Sequence, residues 1–231
     1  MKELIDFHAH IIPHMDHGSA NTPTARTQLS MMQAAGVTDV CATSHFYPQD
    51  ILPDDFLSHR AIRFSRLLSV MGNTPRPRIL LGAEVLVCKG MENMERLDAL
   101  CFEGTNVLLL EMPFNADAWS DSLLHTVEEI GKRGLRPVMA HVDRYPAPLV
   151  EELFEMGFQG QINAEALAGL IRPKHLLRWI GEGRITGFGS DLHGCAPKGY
   201  KAFTKLQKTM PAQVESVMAS AAELLKNAKR Y

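Results

Sequence analysis

Two histidines near the start of the chain, His8 and His10, lie one residue apart in the apolar segment 4–12. Because residues i and i+2 of a β-strand point to the same face, both imidazoles are expected to converge on one place. Two converging neutral imidazoles can form half of a metal site. The pair lies where the apolar run ends, at the predicted carboxyl end of a strand. Parallel α/β folds build their active sites on that edge.

Further metal-ligand side chains stand at the ends of other apolar segments. They are His45, Glu84, Glu111, His141, Asp191 and His193. Any one of these residues could instead cap a helix or be a buried, hydrogen-bonded histidine of the core. Such explanations would have to hold independently at six strand ends, including the one that carries His8 and His10. One shared site is therefore favoured. Together with His8 and His10, the set exceeds the four ligands of one tetrahedral ion. It predicts two or three clustered divalent ions, with zinc, manganese and iron all compatible.

Seven short apolar segments alternate with amphipathic ones along the 231 residues. The segments are rich in Val, Ile and Leu on both faces, which is typical of a parallel sheet covered by helices. No linker is evident, so residues 1–231 are predicted to form a single barrel-like α/β domain. The predicted strands are 4–7, 37–42, 79–84, 107–112, 137–140, 160–163 and 185–189. The predicted helices are 22–35, 54–71, 120–132, 149–156, 173–181 and 211 to about 229.

Composition excludes several classes of function. The net charge of -2 and the pI of about 6.5 give no electrostatic footprint for nucleic acid or an anionic membrane. No apolar run is long enough to span a bilayer, and no signal peptide is evident, so a cytoplasmic protein is expected. The cysteines are widely scattered, which disfavours a disulfide framework or a zinc ribbon. No cysteine is followed six positions later by arginine, as cysteine-based phosphatases require; the residues there are Tyr47, Met94, Val107 and Lys201.

The order of the motifs resembles the polymerase and histidinol phosphatase (PHP) superfamily. These motifs are Asp-x-His-x-His-Ile-x-Pro at 6–13, Thr-Ser-His at 43–45, Gly-x-Glu at 82–84, Leu-Glu-x-Pro at 110–113, Ala-His-x-x-Arg-Tyr at 140–145 and Ser-Asp-x-His at 190–193. The chain is most similar to the bacterial PHP-type protein-tyrosine phosphatases of capsular and exopolysaccharide synthesis. The resemblance extends from residue 4 to about residue 198. It implies a distorted, TIM-like (β/α)7 barrel and a trinuclear centre, often with manganese or iron. It also implies hydrolysis of phosphotyrosine on a bacterial tyrosine kinase tail.

The resemblance also implies roles for individual residues. The family's metal ligands fall on the eight residues named above. A further acidic ligand of the family precedes the glycine that is Gly18 here, where this chain has His17. His17 is therefore the implied ligand, with Asp16 as the alternative. Arg144 matches a phosphate-binding arginine. Lys198 stands where the family has a second arginine, and a lysine supplies charge without a bidentate fork.

Other functions stay open from the sequence. A small-molecule phosphatase of the histidinol-phosphate type would share the metal site and differ in the substrate loops, roughly 46–56 and 115–121. A non-catalytic protein could hold a kinase tail on a degenerate site. An amidohydrolase-like enzyme is disfavoured because the bridging lysine of that family has no clear counterpart. The implied partner is a phosphotyrosyl protein, and the sequence leaves a homo-oligomer open.

Overall fold

The computed structural model describes residues 3–196 and 198–231. In that part of the chain short strands alternate with helices, as the sequence predicts. The strands are β1 (Ile5–Ala9), β2 (Asp39–Ala42), β3 (His45–Phe46), β4 (Arg78–Leu81), β5 (Glu84–Leu86), β6 (Val107–Glu111), β7 (Arg136–Met139), β8 (Gln159–Asn163) and β9 (Ile185–Gly189). The helices are α1 (Thr22–Ala34), α2 (Pro53–Met71), α3 (Asp121–Lys132), α4 (Ala147–Glu155), α5 (Ala164–Leu167), α6 (Lys174–Gly181), α7 (Lys198–Thr209) and α8 (Pro211–Leu224).

All strand pairs are parallel, and they form two sheets of order β1-β2-β4 and β3-β5-β6-β7-β8-β9. The sheets are continuous along the chain because β2 leads into β3 and β4 leads into β5 after two residues. Backbone hydrogen bonds cross both breaks: Gly82 N donates to Ala42 O at 3.0 Å, and Glu84 N donates to Ser44 O at 3.1 Å. The chain therefore passes from the first sheet to the second at two places, between β2 and β3 and between β4 and β5.

The other edges of the two sheets, β1 and β9, also meet. Asp191 N donates to His8 O at 2.8 Å, and His10 N donates to Leu192 O at 3.3 Å. An isolated parallel bridge pairs Ala9 with Leu192. The α/β class with parallel strands is therefore confirmed. Two details depart from a regular barrel: the strand predicted at 79–84 is divided into β4 and β5, and β1 joins β9 only beyond the end of β9.

Close packing explains why the strand divides at Gly82. A Cβ atom at this position would lie 2.6 Å from the ring of Phe102, so only glycine lets the ring approach the backbone here. The bend that follows turns the Glu84 side chain inward instead of continuing the ladder of the first sheet.

The helices agree with the prediction except for the short α5 and the C-terminal end. Neither α5 nor α7 was predicted, and the helix predicted from 211 to about 229 ends at Leu224. The residues after Leu224 lead to β4, where Tyr231 and Ile79 exchange backbone hydrogen bonds of 3.0 and 3.1 Å. The end of the chain thereby covers the free edge of β4.

The buried apolar side chains form one contiguous cluster between the strands and the surrounding helices. Across residues 3–196 and 198–231, no helix combines the length and apolar character needed to cross a bilayer.

The contact between β1 and β9 generates a stability prediction. A Cβ atom on Gly187 of β9 would lie 2.6 Å from Phe7 Cγ in β1. Gly187→Ala should therefore lower the free energy of unfolding by about 1–3 kcal/mol, since the ring must move in a packed core. Urea unfolding followed by circular dichroism measures this difference.

Gly181, the last residue of α6, is the matched control because a Cβ atom added there would have open space around it, with no neighbouring atom within 4 Å. Gly181→Ala should leave stability unchanged or raise it by up to about 1 kcal/mol. Equal effects of the two substitutions would show that β1 and β9 do not pack as described.

Candidate metal centre

The Glu84 carboxylate lies at the centre of the predicted ligand cluster. Its Oε2 atom lies 3.1 Å from His8 Nε2, 3.2 Å from His10 Nε2 and 3.0 Å from His45 Nδ1. Its Oε1 atom lies 2.9 Å from His141 Nε2. Four imidazoles from three strand positions, β1, β3 and the end of β7, therefore surround one carboxylate that is 1% exposed.

Two further carboxylates flank this centre. Asp191 Oδ1 lies 3.7 Å from His8 Nε2 and 3.5 Å from both His10 Nε2 and His193 Nδ1. On the other side, Glu111 lies 3.7 Å from His45 Nδ1 and 3.5 Å from His141 Nε2. Three groups at this centre have potential ligand atoms within 4.8 Å of one another: His10, His45 and His193; His8, His10 and Asp191; and His45, Glu84 and Glu111. A fourth group, His125, Glu128 and Glu129, lies on α3.

Outer hydrogen bonds fix the orientation of the two imidazoles on β1. His8 Nδ1 donates to Gln161 Oε1 at 3.1 Å, and His10 Nδ1 donates to Asp16 Oδ2 at 2.8 Å. With the proton held on Nδ1, the Nε2 lone pair of each ring is free to face the cluster. Such outer acceptors commonly orient metal-ligating histidines. The carboxylate of Asp16 is in turn held by the backbone N–H groups of His45, at 3.0 Å, and Gly18, at 2.9 Å.

The electrostatics of the cluster reflect its carboxylates. Burial lowers the pKa of His141, but contacts with Glu111 and Glu84 outweigh this effect and place the pKa at about 9. Burial alone would raise the pKa of Glu84, yet the surrounding imidazoles hold it well below its ordinary value. His193 behaves oppositely, since burial and the neighbouring His10 lower its pKa to about 4.

The residues present fit a bound cation. His8 Nε2 and His10 Nε2 face each other at 3.1 Å. Ligands about 2.0–2.1 Å from a tetrahedral ion lie roughly 3.3 Å apart. Several inward-facing atoms are buried without a hydrogen-bond partner: Glu84 Oε2, His45 Nδ1 and His193 Nε2. Since buried polar atoms are normally satisfied, this convergence is what a metal site requires.

Backbone strain helps to present two of these side chains. His141 and Asp191 have φ angles of 31° and 47°, in the left-handed region that residues other than glycine rarely adopt. Each follows the end of a strand, β7 or β9, and turns its side chain toward the cluster. Strain of this kind persists where the surrounding structure enforces it, often at functional sites.

His17 lies at the open side of the cluster, outside the three ligand groups. Its ring stacks on those of His193 and His45, with centroids 4.4 and 5.0 Å away. The Asp16 carboxylate lies behind His10 and is held there by the hydrogen bonds described above. Which of His17 and Asp16 serves as a ligand stays a prediction.

The two predicted phosphate-binding cations lie in different surroundings. Arg144 Nη1 lies 3.1 Å from Asp191 Oδ2, and its side chain is 48% exposed at the rim of the cluster. Lys198 begins α7, is 78% exposed, and has its Nζ atom 3.9 Å from Glu165 Oε1. Arg144 therefore touches the cluster directly, whereas Lys198 pairs with a surface carboxylate.

Supporting residues complete the site and were not predicted individually. Gln161 bridges His8 and the backbone N–H of His141, which it accepts at 2.7 Å. Asp6 Oδ1 accepts from Ser190 N at 2.8 Å and so anchors the loop that carries Asp191. Burial, its largest influence, raises the pKa of Asp6 to about 6. Asp6 is the first residue of the motif at 6–13, which could have indicated it, whereas Gln161 lies outside the motifs quoted above.

An aromatic shelf at the rim was likewise not predicted. Phe114 is 54% exposed, and its ring stacks on His141 with centroids 5.4 Å apart. The Arg144 guanidinium lies over the same ring, 4.5 Å from its centroid. An apolar ring and a cation thus stand together beside the candidate centre.

A family model described as "Capsular polysaccharide synthesis, CpsB/CapC" matches residues 4–225 of the chain. The chain is also 23% identical over 235 residues to the tyrosine-protein phosphatase YwqE of Bacillus subtilis. That alignment covers 96% of this chain and 91% of YwqE. The match therefore includes the whole candidate centre.

Solved structures share the fold. One comes from work on YwqE from Bacillus subtilis and CpsB from Streptococcus pneumoniae, described there as unique metal-dependent tyrosine phosphatases. It has a TM-score of 0.77 at 22% identity and covers 99% of this chain and 97% of its own. A histidinol phosphate phosphatase of Lactococcus lactis, complexed with zinc, L-histidinol and phosphate, has a TM-score of 0.57 at 16% identity. It covers 95% of this chain and 94% of its own.

The bridging position of Gln161 generates a prediction about metal affinity. Gln161→Met keeps the side-chain length but removes the acceptor that orients His8 and His141. Metal affinity should fall about 10- to 100-fold, as is common when an outer partner of a ligand is lost. Competition against a chromophoric chelator measures the affinity.

Gln159→Met is the matched control, because Gln159 lies at the start of the same strand and accepts instead from Arg136 at 3.1 Å. This variant should bind metal as the wild type does. If Gln161→Met also kept full affinity, the bridging role would be refuted.

Proposed function

The chain belongs to the capsular polysaccharide synthesis family CpsB/CapC, and on this basis we propose that it is a metal-dependent phosphomonoesterase acting on phosphotyrosine in a protein. The observation that carries the proposal is the buried cluster around Glu84, with the cation of Arg144 at its rim. The name of its relative YwqE, a tyrosine-protein phosphatase, supports the same activity. We propose that residues 1–231 act as one domain.

The proposed metal ligands are His8, His10, His17, His45, Glu84, Glu111, His141, Asp191 and His193. Their number supports two or three divalent ions, and the mixed nitrogen and oxygen ligands suit manganese, iron or zinc. Such ions, when bound, supply Lewis-acid charge and activate water as the nucleophile.

The chain's own residues supply the remaining chemistry. The guanidinium of Arg144 can neutralise charge on the phosphoryl oxygens, since its planar fork suits phosphate. Lys198 is the proposed second cation, which would have to leave Glu165 to reach the phosphate. The leaving phenol has a pKa of about 10, so the demand for a strong general acid is modest.

The aromatic shelf supports phosphotyrosine over alkyl phosphates. An exposed ring such as Phe114 offers a face on which a phenyl group can stack, a contact worth about 0.5–1.5 kcal/mol beyond buried area. Its neighbour Arg144 would then meet the phosphate of the same substrate. We propose that the substrate is the tail of a bacterial tyrosine kinase of polysaccharide synthesis, and that the reaction takes place in the cytoplasm.

The central test is hydrolysis of two esters by the metal-loaded protein. A phosphotyrosyl peptide should be hydrolysed with a higher kcat/KM than histidinol phosphate, because its ring can stack on Phe114. Phosphate release and metal analysis on the same sample give the result. The reverse preference would favour a small-molecule phosphatase, and no turnover of either ester would favour a binding protein.

Two variants and a control separate metal binding from phosphate binding. His141→Ala should lower bound metal and abolish turnover, whereas Arg144→Ala should keep the metal and lose turnover. His175→Ala should change neither, because His175 lies on α6 against Trp179, with ring centroids 4.9 Å apart, and belongs to none of the groups of potential ligands given above. Normal turnover by His141→Ala would contradict the proposed site.

The shelf itself can be tested by Phe114→Ala. Loss of ring stacking should lower kcat/KM for phosphotyrosyl peptides about two- to tenfold while leaving glycerol phosphate unaffected. Val70→Ala is the control, since Val70 is another exposed apolar residue, 53% accessible, near the end of α2 and outside the predicted substrate loops. An equal loss on both esters would show that Phe114 supports the cluster rather than the substrate ring.

A further inference from the structure

A cavity of about 250 Å³ adjoins the candidate centre. We call it the basic pocket and define it by His14, His17, Tyr47, His59 and Arg63. His45 also lines it and is at the same time a member of two of the ligand groups. The basic pocket and the candidate centre therefore share a wall.

The basic pocket has little negative charge to balance its basic side chains. Asp16 is the acidic residue in its described lining, and its carboxylate is already used. One oxygen accepts from His10 Nδ1 at 2.8 Å and from His45 N at 3.0 Å, and the other accepts from Gly18 N at 2.9 Å. These three bonds already occupy both oxygens of the one carboxylate in the described lining.

Arg63 is the half-buried cation of the pocket. Within residues 3–196 and 198–231 it has no hydrogen-bond or ion-pair partner. Arg60, one turn earlier on α2, is different: it donates to Gly82 O at 2.6 Å and to Glu103 Oε1 at 2.8 Å. Arginine carries a permanent charge and five donors, so a cavity-lining guanidinium without a partner suits an anionic ligand.

The remaining wall is apolar, formed by Met15, Ile51 and Phe56. A water molecule's share of liquid volume is about 30 Å³, so the cavity has room for a short side chain with its methylene groups on this wall. A carboxylate at the end of such a side chain would meet Arg63 and the two imidazoles that are not proposed metal ligands, His14 and His59.

We propose that the basic pocket binds an acidic side chain, aspartate or glutamate, of the substrate protein close to its phosphotyrosine. The assignment rests on the proposed function, because the phosphate must lie at the candidate centre for the acidic residue to reach the adjoining pocket. The pocket thereby sets a preference for acidic sequence around the phosphotyrosine, which the metal cluster alone does not provide.

The test uses phosphotyrosyl peptides of equal length whose flanking residues are acidic, neutral or basic. Both affinity, from fluorescence anisotropy, and kcat/KM are measured on the metal-loaded full chain. The wild type should bind the acidic peptide about five- to tenfold more tightly than the neutral one, with the difference shrinking at high salt. Arg63→Gln should abolish that difference and leave kcat on phosphotyrosine itself unchanged.

Arg66→Gln is the matched control: the same change on the same helix, at an exposed residue outside the pocket. It should keep the preference for the acidic peptide. Arg63→Glu should reverse the preference, so that the basic peptide binds more tightly than the acidic one. Thermal unfolding of each variant checks that it folds.

The outcomes separate the two proposals. Equal affinity of the wild type for acidic and neutral peptides, or a preference that survives Arg63→Gln, would overturn the acidic subsite while leaving phosphotyrosine hydrolysis intact. Absence of turnover on every ester would overturn the proposed function. The affinity comparison would still decide whether the basic pocket selects acidic sequence.

Discussion

The buried charge of Glu84 is the constraint on which the rest of the site depends. A carboxylate that is 1% exposed has lost its hydration, and burying it unpaired would be very costly. Its Oε1 atom is hydrogen-bonded to His141 Nε2 at 2.9 Å. Its Oε2 atom has three further imidazole nitrogens 3.0 to 3.2 Å away but no hydrogen-bond partner in the described part of the chain. A cation bound among these nitrogens is what would balance the charge. Every imidazole must therefore be held in place, which explains why Gln161 and Asp16 occupy the outer positions behind the rings.

The fold meets this requirement by interrupting its strands. The break between β2 and β3 introduces His45, and the break between β4 and β5 introduces Glu84. A regular parallel barrel would continue these strands through the same points. The two-sheet arrangement is thus the geometry that turns ligands from neighbouring strand positions toward one another, and the left-handed backbone at His141 and Asp191 completes the set.

Apolar runs and the strand-end positions of His, Asp and Glu were enough to predict the α/β class and the convergence of His8, His10, Glu84 and His141. The division of strand 79–84 was not predictable, because it depends on the Phe102 ring reaching Gly82 from a distant segment. Helix α7 was missed since its lysines mask the buried stripe of Tyr200, Phe203 and Leu206. The basic pocket could not be predicted from the net charge either, because acidic residues elsewhere on the chain balance its positive charge.

The elevated pKa of His141, about 9, has a consequence for how the centre would be filled. At neutral pH a His141 imidazole with this pKa carries an additional proton, and a ligating nitrogen must release its proton. Metal binding to His141 is therefore an exchange of cations that liberates acid into the medium. Protons and metal compete for the same lone pairs. Acidification alone would then weaken loading, without any separate regulatory site.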